Sequence, residues 1–235
     1  MALKNIQHKH QSMHISYEIV NPEAKYDIVF LHGWGSNKEL MKGVFATHLS
    51  QFRHIYIDLP GFGNSTNPIA LETDDYATIL ERFFAEAGVR KNIIVGHSFG
   101  GKVGVLLKPD VLVLIASAGI YVPKPFSVWL KIGLFKMLKV FGFSSLRQFF
   151  VASDAKKLSE PMYQTFKNVV NEDFSEQFAS YSGEALLCWG EQDSATPLHT
   201  AHTINNLIKK SRLVTYEGDH YFFMLHGKKF IIHWC

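Results

Sequence analysis

The chain has 235 residues, long enough for one large domain with a sizeable core. A hydrophobic content of 47% with 19% charged residues excludes a disordered chain, and a formal net charge of +3 is too weak to point to nucleic acid. The two cysteines, Cys188 and Cys235, do not suggest a disulfide framework, and Cys188 lies in an apolar run as a small core residue would. Met1 to Gln11 is polar and lacks the apolar centre of a signal peptide. No apolar stretch reaches the roughly 18 charge-free residues of a membrane-spanning helix. A soluble cytoplasmic protein is expected, as a monomer or a homodimer.

Met13 to Val20 alternates and reads as a strand, ended by Asn21-Pro22. His8, His10 and His14 lie close by. A metal site is one reading, but no further ligands are near, and solvated strand histidines are expected. Asp27 to Leu31 is a buried-type strand running into His32-Gly33-Trp34-Gly35. Glycines at such a turn let the backbone approach a ligand. Either the Trp34 N–H forms one side of an oxyanion hole or this is a plain strand-to-helix loop. A helix is expected to start near Ser36-Asn37-Lys38-Glu39. His54 to Leu59 is the next strand, closed by Asp58-Leu59-Pro60-Gly61-Phe62-Gly63-Asn64-Ser65. Asp58 reads as a loop organiser, with a catalytic acid as the alternative.

Thr73 to Ala87 is the clearest helix, with Tyr76, Ile79, Leu80, Phe83, Phe84 and Ala87 at helical spacing. Thr73 or Asp74 is the expected N-cap and Gly88 the C-cap. Asn92 to Val95 then leads into Gly96-His97-Ser98-Phe99-Gly100, a G-x-S-x-G turn followed by small and apolar residues. Strand, sharp turn and helix together hold a serine hydroxyl at an exposed tip, where a nearby base activates it. The helix N-terminus aims free N–H groups at a developing oxyanion. An ordinary turn rich in small residues is the bland alternative. Val111 to Ala116 is the following strand.

Strand, loop and helix repeat up to this point, which predicts a mostly parallel sheet covered on both faces. Ligands of such sheets sit at the carboxyl ends of the strands, where Trp34, Asp58 and Ser98 all fall. Residues 121–183 break the alternation after Val122-Pro123-Lys124-Pro125. Trp129 to Phe143 is apolar on one side, with Lys131, Lys136 and Lys139 on the other. Further helical stretches are expected near Ser145 to Phe150 and Glu160 to Val170. A helical lid with its lysines in water is expected, and a surface for a membrane or a partner is the other reading. The expected organisation is therefore a core of 1–120 and 184–235 with a lid of 121–183.

Ala185 to Trp189 resumes the sheet and runs into Gly190-Glu191-Gln192-Asp193-Ser194-Ala195-Thr196-Pro197, with a helix opening at Pro197. Arg212 to Tyr216 is the last strand. Glu217-Gly218-Asp219-His220 follows it, then a final helix from about Tyr221. A serine at an elbow, an acid after a later strand and a histidine after the last strand supply what acyl transfer needs. His220 would take the Ser98 proton, and Asp193 would orient the imidazole. Singly, His220 reads equally as a loop histidine and Asp193 as a helix cap.

These motifs resemble the α/β-hydrolase fold family: the His32 to Gly35 turn, the Asp58 to Ser65 block, the Gly96 to Gly101 elbow, Trp189-Gly190 through Asp193 to Pro197, and Gly218-Asp219-His220. The resemblance implies Ser98 as nucleophile, Asp193 rather than Glu217 or Asp219 as acid, and His220 as base. It implies an oxyanion hole from the backbone N–H groups of Phe99 and Trp34, and neither a metal nor an organic cofactor. Trp129, Arg147 and Tyr221 become candidates for substrate contact. The chain is similar to esterases that demethylate pimeloyl-carrier-protein methyl ester. By that similarity Lys131, Lys136, Lys139 and Arg147 would meet an acidic acyl carrier protein. It also resembles C–C hydrolases of 2-hydroxy-6-oxo-dienoates, although Tyr221 stands where those often carry Trp. A non-catalytic binding protein on this fold is the third possibility.

Overall fold

Strands that bury consecutive residues must be covered on both faces, and several runs here do so. In Tyr26–Leu31 the side chains of Ile28, Val29, Phe30 and Leu31 are all buried, and Leu112, Val113, Leu114 and Ile115 repeat this further on. The computed structural model describes residues 1–122 and 159–225. It contains one eight-stranded sheet in the order β1-β2-β4-β3-β5-β6-β7-β8. The strands are β1 (Ala2–His8), β2 (Gln11–Val20), β3 (Tyr26–Leu31), β4 (Phe52–Ile57), β5 (Ile93–His97), β6 (Val111–Ile115), β7 (Glu184–Gly190) and β8 (Ser211–Tyr216). β1 pairs antiparallel with β2 and β2 antiparallel with β4; every other pair is parallel.

β1 was not expected, and its turn explains why. His8 pairs with Gln11, so the hairpin turns on Lys9 and His10 alone, at φ 46° and 60°. Such two-residue turns usually announce themselves by Asn-Gly or Asp-Gly, which this one lacks. The expectation of solvated histidines needs correcting at His8. Its ring is buried, and Nε2 lies 2.8 Å from Asp75 Oδ1. His10 and His14 are exposed.

The helices among the described residues are α1 (Lys38–Phe45), α2 (Thr73–Ala87), α3 (Phe99–Leu106), α4 (Glu160–Val169), α5 (Ser175–Ser180) and α6 (Leu198–Leu207). α2 buries Tyr76, Ile79, Leu80, Phe83 and Phe84, as its spacing requires, and ends at Gly88 with φ 62°. Its N-cap is Glu72 rather than Thr73 or Asp74. Glu72 N–H donates to Asp75 Oδ2 over 2.9 Å, one half of a capping box. Asp75 also accepts from Lys9 Nζ, so the cap and the β1–β2 turn hold one another.

The described part of the inserted segment is docked on this core. Leu71 N–H donates to Thr165 Oγ1 over 2.9 Å, Asn168 Nδ2 donates to the Leu71 carbonyl, and Phe178 is fully buried. Trp129, Lys131, Lys136, Lys139, Arg147, the stretch near 145–150 and Cys235 lie outside the described residues. Among the described residues no helix is long and apolar enough to cross a membrane. After β3 the chain crosses to β4 on one side, and later strands lie on the other. The carboxyl ends of β3 and β5 thus flank the point where the strand order reverses.

Candidate active site

Ser98 joins β5 to α3 with φ 50° and ψ −114°, a strained conformation for a non-glycine residue. Two glycines permit it. A Cβ on Gly96 would come within 2.4 Å of the Gly100 carbonyl oxygen, and one on Gly100 within 2.3 Å of the Leu31 carbonyl oxygen. β3, β5 and α3 therefore meet backbone to backbone, with Ser98 half-buried at the tip.

The turn after β3 stands beside it. Among the described residues neither Trp34 N–H nor Phe99 N–H has a hydrogen-bond acceptor. Phe99 is the first residue of α3, so its N–H is free by helix geometry. The Trp34 ring packs on Phe62, Phe99 and Phe166, at centroid distances of 4.9, 5.5 and 5.4 Å. Phe166 belongs to α4, so the inserted segment closes on this turn. Behind it His32 Nδ1–H donates to the Gly33 carbonyl and Nε2 accepts from Leu59 N–H. Asp58, just after β4, is buried in an ion pair with Lys38.

At the other side of the sheet, Asp193 and His220 come together from the loops after β7 and β8. Asp193 Oδ2 lies 2.8 Å from His220 Nδ1. The Asp193 side chain is fully enclosed and that of His220 is 15% exposed. Burial alone raises the Asp193 carboxyl, but hydrogen bonds from His220 and from Thr196 outweigh it and hold it below the usual range. The carboxylate is thus ionised beside the imidazole. Gln192 ties the two loops: its N–H donates to the Gly218 carbonyl over 2.9 Å, and its Oε1 accepts Gly218 N–H over 2.6 Å.

Two residues singled out by no motif complete the arrangement. His97, the variable position before Ser98, is 1% exposed and Nε2 lies 3.2 Å from the His220 carbonyl oxygen. Its ring packs against that of His220, with centroids 4.8 Å apart and the planes tilted by 47°. Burial pushes His97 down to about 3, so it is neutral and Nε2–H is the donor. A histidine in an otherwise apolar strand was the available signal. Thr196 touches both Asp193 and His220. Its place just before Pro197, where backbone is held extended, was the signal there. The hydrogen bonds of His220 run to Asp193, Thr196 and His97, and none to Ser98. Nucleophile–base contacts commonly tighten only when substrate binds.

A cavity of about 280 Å³ opens over Ser98. Trp34, Phe99, Phe166 and Val169 give it apolar wall, and Lys102, Glu172 and Thr196 give it polar wall. Tyr221 is outside that wall and packs on the His97 and His220 rings. A larger groove of about 510 Å³ lies at the amino ends of β6 to β8 and contains none of these residues. Its size carries no chemical meaning beside the convergence at Ser98. The candidate site thus joins a strained serine, unoccupied N–H donors and a carboxylate–imidazole pair at one end of the sheet.

Comparison with known proteins agrees with this architecture. The pimeloyl-[acyl-carrier protein] methyl ester esterase of Shewanella woodyi is 26% identical over 87% of this chain and 91% of its own length. The protein of that name from Proteus mirabilis is 34% identical, over 37% of this chain and 33% of its own length. Among solved structures, an esterase from Exiguobacterium antarcticum superposes with a TM-score of 0.75 at 22% identity, covering 98% of this chain and 97% of that one. A bromoperoxidase from Bacillus anthracis superposes with a TM-score of 0.75 at 17% identity, covering 99% and 98%. At these identities the structures speak for the fold alone. The sequence profile of the alpha/beta hydrolase family matches residues 28–231, and the chain belongs to that family.

Proposed function

We propose that the protein is a serine hydrolase that cleaves a carboxylic ester through an acyl-enzyme, with Ser98 as nucleophile, His220 as base and Asp193 as the orienting acid. The observation that carries this is the 2.8 Å contact between Asp193 and His220 beside a serine held at φ 50°. In the first step Ser98 Oγ attacks the ester carbonyl carbon and its proton passes to His220 Nε2. The oxyanion is stabilised by Trp34 and Phe99 N–H. Asp193 keeps the proton on Nδ1 and faces the imidazolium. Collapse of the intermediate breaks the carbon–oxygen bond, and His220 returns the proton to the leaving alkoxide. Water then repeats the sequence on the acyl-enzyme and frees the acid. A protonated imidazole could not take the Ser98 proton, so the mechanism requires His220 neutral before attack.

The substrate class favoured by the relatives' names is a methyl ester of an acyl chain borne on an acyl carrier protein. The apolar wall of Trp34, Phe99, Phe166 and Val169 suits such a chain. Residues 121–183 act as the cap over the site in this reading, and the Trp34–Phe166 contact supports it.

The test is ester turnover and fluorophosphonate labelling on wild type, Ser98→Ala and Asp193→Asn. One adduct on Ser98 and p-nitrophenyl ester hydrolysis are expected in wild type. Ser98→Ala should lose both, with turnover down about 10⁶-fold. Asp193→Asn should lose about 10⁴-fold while still binding ester. Labelling without ester turnover would shift the reaction to another bond, and absence of both would favour a binding protein.

A further inference from the structure

The two oxygens of Asp193 have separate partners. Oδ1 accepts the backbone N–H of Ala195 over 2.8 Å and of Thr196 over 2.9 Å. Oδ2 takes His220 Nδ1–H over 2.8 Å and also the Thr196 hydroxyl over 2.8 Å. That hydroxyl lies 3.3 Å from His220 Nδ1 and 3.2 Å from the Ala116 carbonyl oxygen. A hydroxyl has one proton and two lone pairs. The shorter contact and the ionised acceptor assign its proton to Asp193. A lone pair is then left toward His220 Nδ1–H. Thr196 is itself anchored, because its carbonyl accepts Nε1–H of the fully buried Trp189 over 2.7 Å.

We propose that Thr196 is a positioning residue for the Asp193–His220 pair, its hydroxyl fixing the carboxylate rotamer and sharing the negative charge that His220 would otherwise face alone. This rests on the Ser98–His220–Asp193 reading given above. Among the described residues, few groups face His220. Asp193 and Thr196 come from the loop after β7, and neutral His97 comes from β5. Tyr221 lies on its own loop, and the Asp219 carboxylate there is turned to Tyr221 N–H. Among the described residues, Asp193 is therefore the charge in contact with the imidazole, and Thr196 is the side-chain hydroxyl on it.

Removing the hydroxyl has a signed consequence. The Asp193 carboxylate loses a donor, and its charge falls more fully on the imidazolium. The imidazolium formed in the first step is then stabilised relative to the neutral ring. In Thr196→Val the acid limb of kcat/KM should move up by about 0.5–1 pH unit, the worth of one hydrogen bond. At the pH optimum kcat should fall about tenfold with KM within twofold of wild type, as the ring is less constrained. Thr196→Ser should restore both limb and kcat.

The experiment is the pH profile of p-nitrophenyl ester hydrolysis for wild type, Thr196→Val, Thr196→Ser and Ser98→Ala. A shifted limb in Val that Ser reverses supports the proposal. A limb that does not move in Val, or that Ser fails to restore, overturns it. Turnover surviving in Ser98→Ala overturns both readings. Turnover lost in Ser98→Ala beside an unmoved Thr196→Val overturns this one alone. Should Thr196→Val not fold, proton NMR of the wild-type chain decides. A slowly exchanging Thr196 hydroxyl proton with a cross-peak to His220 Nδ1–H supports the proposal, and its absence overturns it.

Discussion

Lys38 Nζ lies 2.8 Å from Asp58 Oδ2, with 1% and 0% of the two side chains exposed. Lys38 N–H donates to Asp58 Oδ1 over 2.8 Å, and Asn64 N–H donates to Oδ2 over 3.0 Å. Burial pushes the Asp58 carboxyl up, but these hydrogen bonds and the Lys38 charge outweigh it and hold it below the usual range. Lys38 opens α1, just after the Trp34 turn, and Asp58 directly follows β4. The pair therefore clamps the turns after β3 and β4 together behind the proposed oxyanion donor.

Breaking this clamp from either side leaves a buried charge without its partner. Lys38→Met and Asp58→Leu should each cost about 3–5 kcal/mol in urea unfolding. The double variant should cost clearly less than the sum, because it removes both charges at once. Single variants within about 1 kcal/mol of wild type would mean that the clamp does not support the turn.

Gly100 makes a sharper test of the elbow. A Cβ there meets Leu31 carbonyl oxygen at 2.3 Å and Leu31 carbonyl carbon at 2.7 Å, both backbone atoms with little room to move. Gly100→Ala must push α3 off the end of β3 and carry Phe99 N–H with it. Ester turnover should fall by about 10²–10³-fold, the worth of one misplaced oxyanion donor. Gly43 in α1 is the control, since a Cβ there meets nothing within 4 Å. Gly43→Ala should leave turnover unchanged and raise stability by about 0.5–1 kcal/mol in urea unfolding. Equal turnover in the two variants would remove the close backbone approach from the account.

The contrast between these two glycines also marks what the sequence could reveal. The strands, α2 and the elbow were legible because burial on both faces writes continuous apolar runs, and an amphipathic helix writes its own period. The placement of Ser98, Asp193 and His220 at strand ends was legible because each sits in a Gly- or Pro-punctuated turn. β1 was not, because its turn uses Lys9 and His10 in a conformation that glycine usually signals. Asp75 was not, because its partners His8 and Lys9 lie 67 and 66 residues away along the chain. Thr196 and His97 make contacts between a loop and a strand end that only the folded sheet brings together. The N-cap at Glu72 lies one or two residues before the expected Thr73 or Asp74, since a glutamate gives no capping signal of its own.

Three buried histidines, His32, His54 and His97, are pushed down by burial and make the fold sensitive to acid. His32 must accept Leu59 N–H on Nε2, which only a neutral ring can do. His97 is fully enclosed beside the Gly33 turn, and among the described residues its Nδ1 has no partner. Burial pushes His32 down to about 4 and His97 down to about 3. An unfolded histidine takes up its proton near pH 6.5. Below that value the unfolded chain binds more protons than the folded one, so stability falls with pH, down toward 4 for His32 and 3 for His97. It is complete above about 6.5. Each histidine contributes a slope of about 1.4 kcal/mol per pH unit within its window. Urea unfolding between pH 8 and 4.5 should show a plateau above 6.5 and a steep decline below it. His97→Gln should start less stable at pH 8 and decline less steeply, having lost one of these protonation sites. A decline of the same slope in His97→Gln would assign the acid sensitivity elsewhere, and stability that rises on acidification would contradict the neutral, buried state of these rings.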